Sequence, residues 1–185
     1  MWDWGDTLMR DLPGQAGPMA EWPRVEAMPG APSALSALSG FSVQCVASNA
    51  TESDGSMVAK ALDRVGLRRH LTHFFTSAEM GVSKPDPGFF EEVSRRLEIP
   101  PTSLMAVGND FQKDIVPAKA VGMVTVLVSA EEDPLFPGSA DLIVPDLFQL
   151  AEVILKEMGG ESPLSPRSTA GAAPRRTGSA IESHS

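Results

Sequence analysis

Short apolar runs alternate with amphipathic segments from residue 30 to residue 158, and this alternation strongly constrains the fold. The runs that predict strands are 41–47, 104–107, 124–128 and 142–144. Apolar residues spaced i, i+3, i+4 and i+7 predict the intervening helices near 58–65, 89–97 and 147–155. Another helix is expected after Pro29-Gly30. Strands that alternate with helices pair in parallel, and helices then cover both faces. The sequence therefore predicts a Rossmann-like three-layer α/β sandwich with a central parallel sheet.

Polar motifs fall at the expected carboxyl ends of these strands. Ser48-Asn49 follows one apolar run and Gly108-Asn109-Asp110 follows another, while Lys84-Pro85 precedes a predicted helix. In an open α/β sheet, ligands bind beside the carboxyl ends of the strands. A fixed cation and a downstream group of carboxylates suit a phosphate bound together with a metal ion. The positions of these motifs predict one shared site.

In chain order, four of these loops resemble the signature motifs of the haloacid dehalogenase-like hydrolase superfamily. The loops are residues 2–8, 46–49, 81–87 and 108–114. The resemblance extends over about residues 2–158. It implies a Mg²⁺-dependent phosphatase that hydrolyses a phosphomonoester through an aspartyl-phosphate intermediate. A carboxylate nucleophile of this kind divides one difficult displacement into two easier ones.

The resemblance also assigns roles to individual residues. It implies that Asp3 is the nucleophile and that Asp114 is an orienting carboxylate. Contacts to the phosphoryl group would come from Thr7, Ser48, Asn49 and Lys84. The implied Mg²⁺ ligands are Asp3, the Gly5 carbonyl, Asn109 and Asp110.

Two positions depart from the family's pattern. Relatives often have a second Asp, which protonates the leaving group, where this chain has Gly5. The adjacent Asp6 is expected to point elsewhere. Relatives also commonly have Asp where this chain has Asn109, so either Asn109 contributes a neutral oxygen or a shifted loop lets Asp110 take its place.

Simpler roles compete with the catalytic ones. Asp3 and Ser48 can each stabilise a turn, and Thr7 or Asn49 can instead cap the segment that follows. Asp110 and Asp114 can stabilise a helix N-terminus electrostatically, by about 0.3–1 kcal/mol. These roles are compatible with catalysis at Asp110 and Asp114.

The predicted hydrolase core comprises residues 1–158. Its first strand is expected to be truncated, because only Met1 and Trp2 precede Asp3. Proline and glycine in residues 10–30 predict a loop or small flap, without room for a full cap domain. The composition of residues 159–185 predicts a disordered tail.

The net charge of -9 argues against a nucleic-acid groove, which needs clustered Lys and Arg. Cys45 is the single cysteine, which excludes an internal disulfide framework. No apolar run approaches the ~20 residues of a membrane span. We expect a cytoplasmic protein that acts on a phosphorylated small molecule or macromolecule. The oligomeric state stays open.

Two other functions compete with the phosphatase. Gly5, Asn109 and the short first strand are compatible with a catalytically weakened protein that binds or regulates. A metal-free dehalogenase would also lack the second Asp. The carboxylates of Asp110 and Asp114 argue against the dehalogenase, because they suit a metal rather than another attacking carboxylate.

Overall fold

A parallel sheet forms the centre of the molecule. The computed structural model describes residues 1–130 and 140–157. Within those ranges the strands are β1 (Cys45–Ser48), β2 (His73–Thr76), β3 (Met105–Gly108), β4 (Val124–Val128) and β5 (Leu142–Val144). Strand β1 pairs with β2, and β4 lies between β3 and β5, all in parallel. This confirms the predicted α/β class.

The N-terminal residues join the two groups of strands. Trp2 forms parallel bridges to Val46 of β1 and to Val107 of β3. The Trp2 N–H donates to the Cys45 carbonyl at 2.8 Å, and the Asp3 N–H donates to the Val107 carbonyl at 2.8 Å. The first strand is therefore as short as the sequence predicts, yet it occupies the middle of the sheet.

Helices cover both faces of this sheet. They are α1 (Ala31–Leu38), α2 (Gly55–Arg64), α3 (Ser77–Met80), α4 (Pro87–Leu97), α5 (Val116–Ala120) and α6 (Leu147–Glu157). Local caps explain where the longer ones begin. The Asp54 carboxylate accepts the Met57 N–H at the start of α2, and Asp86 accepts the Gly88 N–H at the start of α4.

The two sides of the sheet contribute to two separate apolar cores. Trp2 and Val46 pack with residues of α1, α2 and α6, whereas Met1 and Ala47 pack with residues of α4 and α5. Successive side chains of a strand point to opposite faces, so consecutive residues enter different cores. The predicted three-layer arrangement follows from this alternation.

Two details of the strand prediction were wrong. The strand expected at 41–47 begins only at Cys45, because the Phe41 and Ser42 N–H groups donate to the Leu38 carbonyl in the turn that ends α1. Phe41 and Val43 are consequently exposed. Strand β2 was missed, since its four residues do not show an extended apolar pattern.

Residues 10–30 form a loop with one 3₁₀ turn at Met19–Glu21. Met19 and Trp22 are buried and belong to the same core as α1 and α2. The predicted tail at 159–185 lies outside the described residues. Among the helices of residues 1–130 and 140–157, none has the length and apolar character that a membrane crossing requires.

Candidate active site

The polar loops predicted from the sequence meet at one edge of the sheet. A cleft of about 400 Å³ opens there, which we call the motif cleft. The lining residues come from all four predicted loops and, at position 11, from the loop at residues 10–30: Asp3, Gly5, Asp6, Asp11, Ser48, Asn49, Lys84, Asn109, Asp110, Lys113 and Asp114. The parallel strands explain this convergence, because their carboxyl ends share one edge.

Lys84 lies at the base of the motif cleft between two carboxylates. Its Nζ is 2.6 Å from Asp3 Oδ1 and 2.6 Å from Asp114 Oδ1. The Lys84 side chain is only 3% exposed. A buried ammonium requires such partners, since an unpaired charge is costly to remove from water. Lys84 therefore links the first and fourth motif loops.

Asn49 holds the backbone of Lys84 in place. The Lys84 N–H donates to Asn49 Oδ1 at 2.8 Å, and Asn49 Nδ2 donates to the Lys84 carbonyl at 2.7 Å. The resemblance implied that Asn49 contacts the phosphoryl group. In the structure its amide fixes the position of the lysine, and a direct substrate contact by Asn49 stays a prediction.

The cluster of Asp3, Lys84 and Asp114 shifts two titrations. Burial opposes the charge of Lys84, but Asp3 and Asp114 outweigh that effect and raise the pKa of Lys84. Burial, followed by the negative charge of Asp3, raises the pKa of Asp114 to about 6, despite the opposing influence of Lys84. The Lys84 ammonium pairs with both carboxylates, yet Asp114 is protonated more easily than an ordinary Asp.

Asp114 reaches this position because Gly108 has no side chain. A Cβ atom at Gly108 would collide with the Asp114 carboxylate. That carboxylate also accepts the Asp110 N–H at 3.1 Å. The glycine at the end of β3 is therefore needed for the close approach of Asp114 to the sheet.

Thr7 connects the nucleophile loop with Asn109. Thr7 Oγ1 is 3.1 Å from Asp3 Oδ2 and 2.9 Å from Asn109 Oδ1. A hydroxyl has a single hydrogen, so it donates to one of these two oxygens at a time. Thr7 thus orients the candidate nucleophile. Its predicted contact with substrate would use the same hydrogen and stays a prediction.

Asp110 has the structural role that competed with metal binding. Its carboxylate accepts the N–H groups of Gln112 and Lys113 at 3.0 and 2.9 Å, and it pairs with Lys113 Nζ at 2.9 Å. Burial opposes ionisation, but the contacts with Lys113 and Gln112 lower the pKa of Asp110. Metal binding by Asp110 stays a prediction.

Ser48 ends β1 and is buried beside the motif cleft. Its Oγ accepts the Ala50 N–H at 3.2 Å. This contact uses an oxygen lone pair, so the hydroxyl hydrogen remains able to donate to a phosphoryl oxygen.

The space beside Gly5 is open. A Cβ atom built there has no heavy atom within 4 Å. Asp6 has a left-handed backbone, with φ 54°, and its carboxylate accepts the Asp11 N–H at 2.9 Å. The Asp6 carboxylate thus has a partner in its own loop, although Asp6 also lines the motif cleft. That Asp6 does not replace the missing acid stays a prediction.

The oxygen atoms around the motif cleft suit a hard cation. Asp3, Gly5, Asn109 and Asp110 line the cleft and carry carboxylate, amide and carbonyl oxygens, and Mg²⁺ prefers oxygen ligands. Among residues 1–130 and 140–157, no three His, Cys, Asp or Glu side chains are grouped to hold a metal. The residue types therefore fit Mg²⁺, with neutral oxygens replacing part of the usual ligand charge.

Sequence reasoning missed several contributions to this site, among them Asp11, which lines the motif cleft but lies in none of the predicted motifs. Lys113 lines the motif cleft, and the i, i+3 spacing of Asp110 and Lys113 was the available signal. The contacts between Asn49 and Lys84 had no such signal, because the two residues lie 35 positions apart.

The sequence model of the haloacid dehalogenase-like hydrolases matches residues 14–122. The chain is 34% identical over 99 residues to a glyceraldehyde 3-phosphate phosphatase of Methanothermobacter thermautotrophicus, an alignment covering 50% of this chain and 44% of the relative. It is 37% identical over 87 residues to haloacid dehalogenase-like hydrolase domain-containing protein 3 of Bos taurus, covering 47% and 34%. The chain spans less than half the length of these curated relatives.

The fold also resembles solved structures. A protein from Listeria monocytogenes serotype 4b superimposes with a TM-score of 0.70 at 25% identity, over 84% of this chain and 95% of the other. Because 95% of the Listeria protein is covered, almost all of that protein has the same fold as the matched part of this chain.

Proposed function

The chain belongs to the haloacid dehalogenase-like hydrolases, and from this premise we propose that it hydrolyses a phosphomonoester through an aspartyl-phosphate on Asp3. The supporting observation is the Lys84 ammonium, which lies 2.6 Å from Asp3 at the base of the motif cleft. A fixed, buried cation reduces the repulsion between a carboxylate nucleophile and an anionic phosphoryl group. The relatives named phosphatases support the same reaction class.

In the first half-reaction, Asp3 attacks phosphorus. The Asp3 oxygen–phosphorus bond forms, the bond to the leaving oxygen breaks, and that oxygen departs with the electron pair. Ser48 and Lys84 donate hydrogen bonds to the phosphoryl oxygens, while Asp114 holds Lys84. In the second half-reaction, a water oxygen bonds to phosphorus as the bond between phosphorus and the Asp3 oxygen breaks, which releases inorganic phosphate and restores the Asp3 carboxylate. The proton that the water loses passes to solvent, and the departed alkoxide takes a proton from solvent to become the alcohol.

The proposed Mg²⁺ ligands are Asp3, the Gly5 carbonyl, Asn109 and Asp110. When bound, this ion would supply positive charge beside the phosphoryl oxygens. Asn109 brings no negative charge, so Mg²⁺ should bind less tightly than to an all-carboxylate set. Asn109→Asp should increase Mg²⁺ affinity, measured by calorimetry without substrate.

The leaving group receives little help because Gly5 has no acidic side chain. General acid catalysis typically contributes about 100- to 10,000-fold. Phenyl phosphate, whose leaving oxygen departs more easily, should therefore react far faster than ethyl phosphate. The test is kcat/KM for both esters with Mg²⁺ in wild type and Asp3→Asn, and the variant should lose both activities.

Gly5→Asp tests the missing acid directly. The open space beside Gly5 accommodates the new side chain, and the variant should accelerate ethyl phosphate much more than phenyl phosphate. Gly5→Asn is the matched control, because it adds similar volume and hydrogen-bonding groups but no acidic proton. Equal kcat/KM for the two esters in wild type would show that another group supplies the proton. Full activity in Asp3→Asn would refute the proposed nucleophile.

A second candidate is a weakened hydrolase retained for binding. The ion pair between Asp110 and Lys113 favours it, because that carboxylate already has a partner. This function predicts that inorganic phosphate binds in calorimetry while acetyl phosphate and phenyl phosphate remain intact. A metal-free dehalogenase would instead release chloride from 2-chloropropionate without Mg²⁺.

A further inference from the structure

A second cavity opens beside the motif cleft and continues from it. Its volume is about 260 Å³, and we call it the side cavity. Both spaces share Gly5, Asp11, Ser48 and Asn49 as lining residues. A phosphoryl group positioned for attack by Asp3 would therefore place its leaving alcohol next to the side cavity. The volume lies just below the usual range of ligand pockets, about 300–1,000 Å³, and therefore suits a compact group.

Large apolar side chains form one part of its wall. Trp4, Met19 and Trp22 line the side cavity, and each is at most 8% exposed. Trp4 lies next to the candidate nucleophile in the chain, whereas Met19 and Trp22 belong to the loop that precedes α1. Flat indole rings favour contact with aromatic groups or with cations.

This wall is held in position before any ligand binds. Trp22 Nε1 donates to the Gly17 carbonyl at 3.0 Å. The Arg64 guanidinium, at the end of α2, donates to the carbonyls of Ala20 and Trp22 at 3.1 and 2.7 Å. A wall fixed in this way lowers the ordering cost of binding. The loop thus forms a preorganised wall of the side cavity.

The charge of the side cavity differs from that of the motif cleft. Asp11 and Glu52 line it, and within the described ranges no Lys, Arg or His does. Lys84 and Lys113 both line the motif cleft instead. An anionic group in the side cavity would therefore meet two carboxylates and no compensating cation, an arrangement that opposes its binding.

We propose that the side cavity receives the leaving alcohol and selects phosphomonoesters whose alcohol is compact and carries no negative charge. This inference rests on the proposed phosphatase function. Neutral aromatic and cationic alcohols fit the indoles, and the carboxylates favour the cationic ones. Esters with a second phosphate or a carboxylate on the alcohol are poor substrates.

Three aryl phosphates of matched size test the charge preference. They are 4-(carbamoylmethyl)phenyl, 4-(2-aminoethyl)phenyl and 4-(carboxymethyl)phenyl phosphate, which are neutral, cationic and anionic, and in which at least one methylene group separates the polar group from the ring. We expect kcat/KM for the anionic ester to be about 10- to 100-fold below that of the neutral ester, and the cationic ester to equal or exceed it. Equal efficiency of the anionic and neutral esters would overturn the proposal.

Substitutions in the side cavity test whether its carboxylates cause the preference for the neutral ester over the anionic ester. Asp11→Asn combined with Glu52→Gln should narrow the ratio between the neutral and anionic esters, mainly through KM. Glu91→Gln, on the exposed face of α4, is the control and should leave the ratio unchanged. An unchanged ratio in the double variant would remove the side cavity as the source of selectivity.

Binding of the alcohols alone separates this inference from the proposed function. Trp4 and Trp22 line the side cavity, so tryptophan fluorescence should report its occupancy without turnover. 4-Hydroxyphenylacetamide and 4-(2-aminoethyl)phenol should bind at least 10-fold more tightly than 4-hydroxyphenylacetate, which has nearly the same size. If wild type hydrolyses none of the esters but still binds the three alcohols in this order, the phosphatase function alone is refuted. Equal binding of the three alcohols would refute the selective cavity.

Discussion

At the residue scale, the fold changes the ionisation of Asp114. Burial and the charge of Asp3 raise the pKa of Asp114 to about 6, compared with about 3.9 for an ordinary Asp. The folded protein therefore binds this proton more tightly than the unfolded chain does. Ionised Asp114 lowers stability above pH 6, and this penalty is absent below about pH 4.

The corresponding prediction concerns the free energy of unfolding of wild type minus that of Asp114→Asn. This difference should fall by roughly 2–3 kcal/mol between about pH 4 and pH 7, because each unit of pKa difference is worth about 1.4 kcal/mol. The pKa of Lys84 is raised from 10.5, so its contribution is fully present throughout this window. Urea denaturation at several pH values gives the measurement.

Glu92→Gln provides a control in which the difference in free energy of unfolding should change with pH in the opposite direction. Hydrogen bonds from Arg95 and Arg96 lower the pKa of Glu92 to about 2, so its contribution is present above about pH 4.5 and is lost as the pH falls. A wild-type minus Asp114→Asn difference that stays level or rises from pH 4 to pH 7 would contradict the raised pKa of Asp114.

At the scale of elements, the end of α2 fixes the loop that precedes α1. Arg64 is on the last turn of α2, and its guanidinium contacts the backbone carbonyls of Met19, Ala20, Trp22 and Pro23. The loop has one short 3₁₀ turn, and the contacts with Arg64 add to its own hydrogen bonds in holding its position.

Arg64→Ala should release this loop. We expect KM for phenyl phosphate to rise about 10-fold, equivalent to about 1.4 kcal/mol, with a smaller change in kcat, because Arg64 contacts none of the reacting groups. The free energy of unfolding should fall by about 1 kcal/mol. Steady-state kinetics and urea denaturation measure the two effects.

Lys60→Ala is the matched control, since Lys60 is an exposed cation on the same helix. It should change neither KM nor stability appreciably. An Arg64→Ala protein with wild-type KM would show that the loop keeps its position without the guanidinium.

At the scale of the whole molecule, the sheet depends on the residues before the candidate nucleophile. Trp2 is 1% exposed and bridges β1 and β3, and its Nε1 donates to Gln44 Oε1 at 3.0 Å. The two halves of the sheet carry different parts of the motif cleft. Stability and assembly of the site are therefore coupled through a single short segment.

Trp2→Ala should lower the free energy of unfolding by about 3–5 kcal/mol, as expected for a large cavity in a core. Trp2→Phe should lower the free energy of unfolding by less, because phenylalanine keeps most of the apolar volume. The remaining loss comes from the smaller ring and from the missing hydrogen bond to Gln44. Denaturant titrations compare the three proteins. A loss below 1 kcal/mol in Trp2→Ala would show that the two halves of the sheet hold together without this side chain.

The sequence by itself determined the fold class and the positions of the principal motifs. Helix periodicity identified α2, α4 and α6, and the apolar runs identified β3, β4 and β5. These signals are local, since they depend on residues a few positions apart. The approximate site followed because parallel strands must present their carboxyl ends together.

Only the tertiary structure decided how the site residues act on one another. Lys84 lies 81 positions from Asp3 and 30 from Asp114, so neither the buried ion pairs nor the raised pKa of Asp114 could be inferred from local pattern. The same holds for the Asn49 contacts and for the side cavity. Burial and charge pairing depend on which distant segments meet, and packing of the complete chain determines those meetings.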